Sequence, residues 1–406
     1  MDLHSGMPFW MALNPLYNYY HPLKKSISTH TVIVGSGITG ALVAHVLCAL
    51  GIKCIVIDKR TIGTGSTAAS TSQLQYEIDI PLVELIKKIG EENAVKAYKC
   101  CLQSIADVEN VFKPIKKDPD FESIPTYLLA SNKSGEKLLK EEFDARKKAN
   151  LPVQYLDKDQ LKESLGIDAL SALYNDTSAQ LDCYKGATFI LDHHLKKNEI
   201  ELYSHTLISD YNKTKNGYEL ITENGNKINC ENVVIAAGYE AGEFLPQKVM
   251  DLLSTFAIVS HPVDKKYLWK NRALIWETQT PYLYMRTTAD NRIMVGGEDE
   301  EYNNADRRDA ALNKKAKTLE KKFKKMFPDI PFVTDMSWAG TFSATADGLP
   351  FIGTYPYRPN MYFALGYGGN GITFSMIAAQ IIGNLITGKK DDRTDLFGFN
   401  RLKHSD

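Results

Sequence analysis

Neither sign of charge dominates this chain: 48 basic residues stand against 49 acidic ones, a formal net charge of -1. No basic excess is left to neutralise phosphates, so a nucleic-acid partner is not expected. The six cysteines (Cys48, Cys54, Cys100, Cys101, Cys183 and Cys230) form no C-x-x-C pair and no metal-ligand spacing. Two are adjacent and two lie in apolar segments, so they read as reduced thiols, which predicts no metal site, no disulfide framework and a cytoplasmic setting. Long hydrophobic runs are missing too. The longest, Gly371 to Ile386, contains Gln380 and Asn384 and is too short and polar to span a bilayer. Residues 1–25 hold aromatics and prolines without a basic stretch leading into an apolar one, so no signal peptide is expected. There remains a chain of 406 residues, 44% hydrophobic and 24% charged, the balance of a soluble globular protein and long enough for two domains.

The stretch Val32-Ile33-Val34-Gly35-Ser36-Gly37-Ile38-Thr39-Gly40 is the strongest signal present. A β-branched run enters a G-x-G-x-x-G turn, and Ala41 to Leu50 leaves it as an apolar helix that Gly51 stops. Lys53 to Asp58 then reads as a second strand, ending in an acid 18 residues after Gly40. That is a βαβ unit with the residue types dinucleotide binding requires. Gly35 turns the strand, Gly37 clears the helix N-terminus for a pyrophosphate, Gly40 brings helix and sheet together, and Asp58 accepts the hydroxyls of an adenosine ribose. An acid at this position argues against a 2′-phosphate, although Lys59 and Arg60 follow it directly.

Beyond that strand, Gly63 to Gln73 is nearly all small or hydroxylic, with Gly65, Ser66, Thr67, Thr71, Ser72 and Gln73 placed for a loop and helix start that meet the cofactor. Leu85, Ile89, Ala97, Cys101, Ile105 and Val108 give an apolar stripe that predicts one helix over Leu82 to Val111. Glu223-Asn224-Gly225-Asn226 predicts a hairpin turn, and Val233 to Gly238 a buried strand returning to the first sheet. Strands are expected at Phe256–Pro262, Ala273–Glu277, Tyr282–Arg286 and Arg292–Gly296, then a helix from Arg308 to Met326 whose lysines form a solvated face. Residues 1–27 read as an N-terminal arm lying on the surface.

A second match to G-x-G-x-x-G, Gly366-Tyr367-Gly368-Gly369-Asn370-Gly371, precedes the helix beginning at Ile372 and Thr373. No strand follows that helix, only a polar tail, so it cannot build a second nucleotide fold. Its exposed N–H groups and the positive end of the helix dipole suit an anionic group such as the edge of a reduced flavin ring. One dinucleotide fold with one such terminus points to FAD without a separate nicotinamide domain.

Taken in order, Gly35 to Gly40, Asp58, Gly65-Ser66-Thr67, Val234 to Gly238, Asp347-Gly348-Leu349-Pro350-Phe351-Ile352-Gly353 and Gly366 to Thr373 make the chain resemble the D-amino-acid oxidase, glycine oxidase and sarcosine oxidase family over about residues 28–390. The resemblance implies an α/β fold with a discontinuous Rossmann-like FAD-binding domain (28–85, 160–245 and 335–390) and a mixed or antiparallel β-sheet substrate domain (86–159 and 246–334). It implies that Ile208 meets the adenine, that Ala236, Ala237 and Gly238 turn beside the nucleotide, and that Gly340 and Asp347 belong to the cofactor site. Tyr367 would face the reacting centre, and the strand carrying Tyr282, Tyr284 and Arg286 would lie over the flavin, with Arg286 clamping a substrate carboxylate. Tyr282 and Tyr284 alternate along that strand and so face one side. Some members attach the flavin through a histidine or cysteine just after the G-S-T loop or beside the position of Gly340; neither residue type stands there, so noncovalent FAD is expected. The implied activity is hydride removal from the carbon beside an amine or amino-acid nitrogen, giving an imine. The alternatives are an alcohol dehydrogenase acting on a glycerol-phosphate-like substrate and a non-enzymatic electron-transfer flavoprotein. Oligomeric state is left open.

Overall fold

The computed structural model describes residues 2–15 and 19–402. Parts of the expected arm (residues 1 and 16–18) and of the polar tail (403–406) lie outside the described residues.

Two sheets organise the chain. In the first, the strands Met361–Leu365, Lys227–Ile235, Ile27–Val34, Cys54–Ile57 and Ile200–Tyr203 run parallel in that order, with Phe351–Thr354 antiparallel at the edge. Parallel strands are covered on both faces, and these are apolar on both. Ile33, Val56 and Val234 pack under the helices Ile38–Ala49 and Gly371–Ile386, while Val32, Ile57 and Ile235 face a separate cluster with Phe363, Leu220 and Phe399. The strands Ile208–Lys213 and Tyr218–Thr222 extend the sheet as an antiparallel meander, and Gly225 takes φ +77 in the expected turn.

The second sheet has ten strands, mostly antiparallel, with one parallel pair between Leu274–Glu277 and Glu122–Leu129. Helix Ala305–Met326 covers it, placing Leu319 and Phe323 against Ile258, Ile275 and Val295.

Several expectations fail. The helix predicted over Leu82 to Val111 is two helices, Leu82–Ile89 and Glu91–Phe112, because Gly90 adopts φ +85 between them. The second of them buries Ala97, Cys101 and Val108 in the same apolar cluster as Ile38–Ala49. The ten-residue strand Ser171–Gln180 was not anticipated; it pairs with Glu122–Leu129 on one side. The first described part of the N-terminal arm, residues 3–10, does not lie on the surface. His4–Gly6 pairs with Thr334–Ala344, and Leu3, Phe9 and Trp10 are buried.

Candidate functional site

The turn after Ile27–Val34 is built as the glycines predict. Gly35 has φ +112, and a Cβ there would sit 2.3 Å from the Ala236 carbonyl oxygen. At Gly40 it would sit 1.9 Å from the Gly35 oxygen, so helix and strand meet at backbone distance. A Cβ on Gly37 would stand 2.7 Å from Thr67 Oγ1, which accepts a bond from the Ile38 N–H at 2.9 Å. The N-terminus of helix Ile38–Ala49 thus opens into a cleft with no bulk before it, suited to a phosphate.

Asp58 closes one side of that cleft. Its Oδ2 accepts from Ser36 N–H at 2.8 Å and from Ser36 Oγ at 2.6 Å, and its Oδ1 from Arg60 N–H at 2.8 Å. The two cations after it turn to Glu240: Lys59 Nζ lies 2.8 Å from its carboxylate and Arg60 binds both oxygens at 2.8 and 3.0 Å. Burial works against charge on Glu240, yet Arg60 and Lys59 hold its pKa down to about 2. Both cations are therefore engaged, which removes the ambiguity over a 2′-phosphate in favour of an unphosphorylated ribose.

This cleft is the first of two adjoining lobes. It is lined by Gly35, Gly37, Ile38, Thr39, Asp58, Lys59, Arg60, Gly65, Ser66, Thr67, Ile208, Ala236, Ala237 and Gly238, and from the late glycine segment by Tyr367, Gly371 and Ile372. Leu3, Ser66, Ser70, Tyr239, Gly371 and Ile372 line both this lobe and a second one. Thr71, Ser72, Gln73, Gly340, Gly368, Gly369 and Asn370 belong to the second lobe, together with Tyr282 and Tyr284, so the two tyrosines do share a face. Gly296, directly across the sheet from Tyr284, makes room for its ring: a Cβ there would come within 2.3 Å of it.

Four site residues fall elsewhere. Gly40 acts through packing and does not line either lobe. Thr373 is buried and its Oγ1 donates to the Asn370 oxygen inside the helix. Asp347 accepts from Leu349 N–H in a turn and pairs with Arg401, away from the cavity. Arg286 is the main correction. Its Nη1 donates to the carbonyls of Thr71 (2.9 Å), Ser72 (2.9 Å) and Leu181 (2.8 Å), and its guanidinium lies 5.4 Å from the Trp10 ring. It is 1% exposed and lines neither lobe, so it braces the loop behind the cavity instead of presenting a cation to substrate. Tyr367, expected at the reacting centre, stands in the nucleotide lobe and stacks on Phe374.

The second lobe also holds residues that no sequence pattern marked: Glu77, Asp79, Thr255, Trp276 and Asp299. Asp79 accepts from Gly369 N–H at 2.6 Å and from Tyr282 OH at 3.3 Å. Asn370 ties the acidic segment to the helix N-terminus by donating to the carbonyls of Gln75 and Glu77. Burial pushes the carboxyls of Asp79 and Asp299 up, Asp299 to about 6, and raises the phenols of Tyr282 and Tyr284 as well.

A parallel sheet with a glycine turn, an acid-tipped second strand and a second pocket joined to the nucleotide cleft defines a dinucleotide-dependent oxidoreductase architecture. Residues 30–385 match the family described as FAD dependent oxidoreductase. The chain belongs to that family, whose structural neighbours bind FAD. It is 25% identical over 399 residues to a glycine oxidase of Geobacillus kaustophilus, covering 92% of this chain and 96% of that one. It is 22% identical to the gamma-glutamylputrescine oxidoreductase of Escherichia coli over 98% and 92% of the two chains. The crystal structure of glycine oxidase from Geobacillus kaustophilus superposes with a TM-score of 0.77 at 20% identity, covering 93% of this chain and 99% of that chain. The protein is thus an FAD-dependent oxidoreductase. No described helix is long and apolar enough to cross a membrane.

The cavity fits FAD on its own evidence. The Gly37 cleft has room only while that residue lacks a side chain, and Ser66 Oγ is buried along it with no hydrogen-bond partner among the described residues. Such an atom in a polar cleft is what a bound dinucleotide would satisfy.

Proposed function

We propose that this protein oxidises an amine or amino acid at the carbon beside nitrogen, with FAD lying along the first lobe and the substrate in the second. When bound, FAD supplies the hydride acceptor at N5. The chain's residues do the rest. Gly35, Gly37 and Asp58 fix the nucleotide end, and the N-terminus of helix Gly371–Ile386 presents the positive end of its dipole where the two lobes meet. Tyr282, Tyr284 and Trp276 wall the second lobe against water and orient the substrate. No side chain need act as a base if the amine arrives neutral.

The observation that carries this reading is the shared wall of the two lobes: carboxylates and phenols able to hydrogen-bond a nitrogen line the pocket that adjoins the nucleotide cleft. The same lining weighs against a glycerol-phosphate-like substrate, because no lysine, arginine or histidine is found among the described residues lining the second lobe. The free state of all six cysteines supports a cytoplasmic setting. Anaerobic mixing of the holoenzyme with a panel of amines and amino acids tests the proposal. Bleaching of the flavin absorbance is expected with at least one of them. An oxidised spectrum untouched by the whole panel would leave an electron-transfer role in its place.

A further inference from the structure

We infer that the second lobe selects a substrate carrying a second positive charge, a diamine or polyamine-like chain, and not one with a carboxylate beside the reacting C–N bond. The inference rests on the amine-oxidising reading and narrows it.

Three carboxylates, Glu77, Asp79 and Asp299, face a lobe that has no basic residue among its described lining. The nearest cations are already committed. Arg146 reaches Glu77 Oε1 at 3.1 Å but is shared with Glu142 at 2.8 Å, so one guanidinium serves two carboxyls. Lys315, which acts on Asp299 from a distance, is paired with Glu298 and Glu300. Arg286, the one guanidinium that could have reversed the sign, donates to three backbone carbonyls behind the loop.

The unsatisfied atoms carry the point further. Glu77 is 3% exposed; its Oε1 accepts from Arg146 and from Asn175 Nδ2 at 2.6 Å, and its Oε2 has no partner. Asp299 is bonded by the Thr255 hydroxyl, and its Oδ1 is buried without a partner. Buried acceptors left unpaired cost free energy until something donates to them, and an ammonium donates through three N–H bonds while cancelling charge. A ligand carboxylate would do the reverse, bringing a further acid into a poorly solvated space that already holds three. Trp276, Tyr282 and Tyr284 add ring faces that attract a cation. Burial raises the carboxyls of Asp79 and Asp299, as expected of groups waiting for a counter-charge.

The test is anaerobic reduction of the holoenzyme by matched amines: 1,4-diaminobutane and its N-methyl derivative against n-butylamine and N-methylbutylamine, with glycine and N-methylglycine as carboxylate probes. The dications should reduce the flavin at least tenfold more efficiently than the monoamines, with the carboxylate probes slower still. Equal or better reduction by monoamines or amino acids would overturn the inference while leaving amine oxidation in place. Silence from every probe would remove amine oxidation; the inference is then decided by titrating the oxidised spectrum, where saturable perturbation by 1,4-diaminobutane but not n-butylamine supports it and no perturbation ends it. Asp299→Asn and Glu77→Gln should each cut the preference for dications at least fivefold. Glu77 sits in a buried network and its variant can fail to fold. Asp299 lies near the end of the strand Ile293–Glu300, so an unchanged preference in Asp299→Asn alone would refute its assignment.

Discussion

Arg286 shows why a residue's identity and its position in a motif do not give its role. A guanidinium near two tyrosines on a strand reads as a carboxylate clamp, but the direction of the side chain is set by what packs around it. Here Trp10 and the carbonyls of Thr71, Ser72 and Leu181 take it to the far side of the loop. Burial lowers its pKa to about 10, so it stays charged at neutral pH, and its hydrogen bonds brace the loop whose other face lines the cavity. Arg286→Ala should therefore cost about 2–4 kcal/mol in urea unfolding and weaken FAD retention. Its effect on kcat/KM should be the same for substrates of any charge; a loss confined to carboxylate-bearing substrates would restore it as a ligand. Asp299 gives a pH prediction. Burial lifts its folded pKa to about 6, above the ordinary carboxylate range, so the folded protein holds the proton more tightly and its stability falls as pH rises through that window. Its Thr255 contact and the distant Lys315 oppose the rise, while Asp79 and Glu298 reinforce it. An ammonium binds the charged form, so affinity for 1,4-diaminobutane should climb with pH up to about 6 and level off above, a limb that Asp299→Asn should abolish.

At the level of elements, legibility followed locality. The unit from Ile27 to Asp58 could be read from the sequence because everything that makes it is close in the chain: a run buried on both faces, a glycine turn, an apolar helix and a second run. The acidic second lobe could not, since Glu77, Asp79, Thr255, Trp276 and Asp299 come from distant segments and meet only through the pairing of the second sheet. Ser171–Gln180 illustrates the same limit. Its Asn175, Asp176, Thr177 and Ser178 resemble a loop, and it is a strand because Glu122–Leu129, Gln73–Leu74 and Gln154–Asp157 all pair with it. Gly90 was passed over inside a helical stripe that continued on both sides of it, although its φ of +85 ends one helix and starts the next. The glycines of the first turn separate by what surrounds them. Gly40→Ala meets backbone at 1.9 Å and should destabilise the protein by about 3 kcal/mol or more, with loss of FAD. Gly51→Ala meets open space and suffers only its φ of +76, so a loss of about 1 kcal/mol and normal FAD content are expected. Equal melting temperatures for the two variants would refute the close-packing account.

On the scale of the whole molecule, the cavity lies where the two sheets meet, and the segment from Leu3 to Trp10 ties them together. Leu3 lines both lobes, His4–Gly6 extends the second sheet, and Trp10 Nε1 donates to the Ser70 carbonyl in the cofactor loop. The glycine turn, Asp58 and the N-terminus of helix Gly371–Ile386 would hold FAD from several sides, which supports retention without a covalent bond. Cys48 and Cys54 lie in the helix and strand of the nucleotide-binding unit, whereas Cys183 touches the hydroxyl-rich loop itself. Its Sγ lies 2.9 Å from the Thr67 carbonyl and accepts from Ser72 Oγ at 2.7 Å, directly behind the hydroxyl-rich loop. Attachment through it would require a thiolate with access to the ring. Cys183 has neither: it is buried, it lines neither lobe, and burial pushes its pKa up to about 12. No cysteine or histidine is found among the described residues lining the cavity. Precipitating the holoenzyme with acid should accordingly release the yellow colour into the supernatant. A pellet that kept its colour would mean a flavin bond to the chain, and a Cys183→Ala variant that then released it would identify the atom.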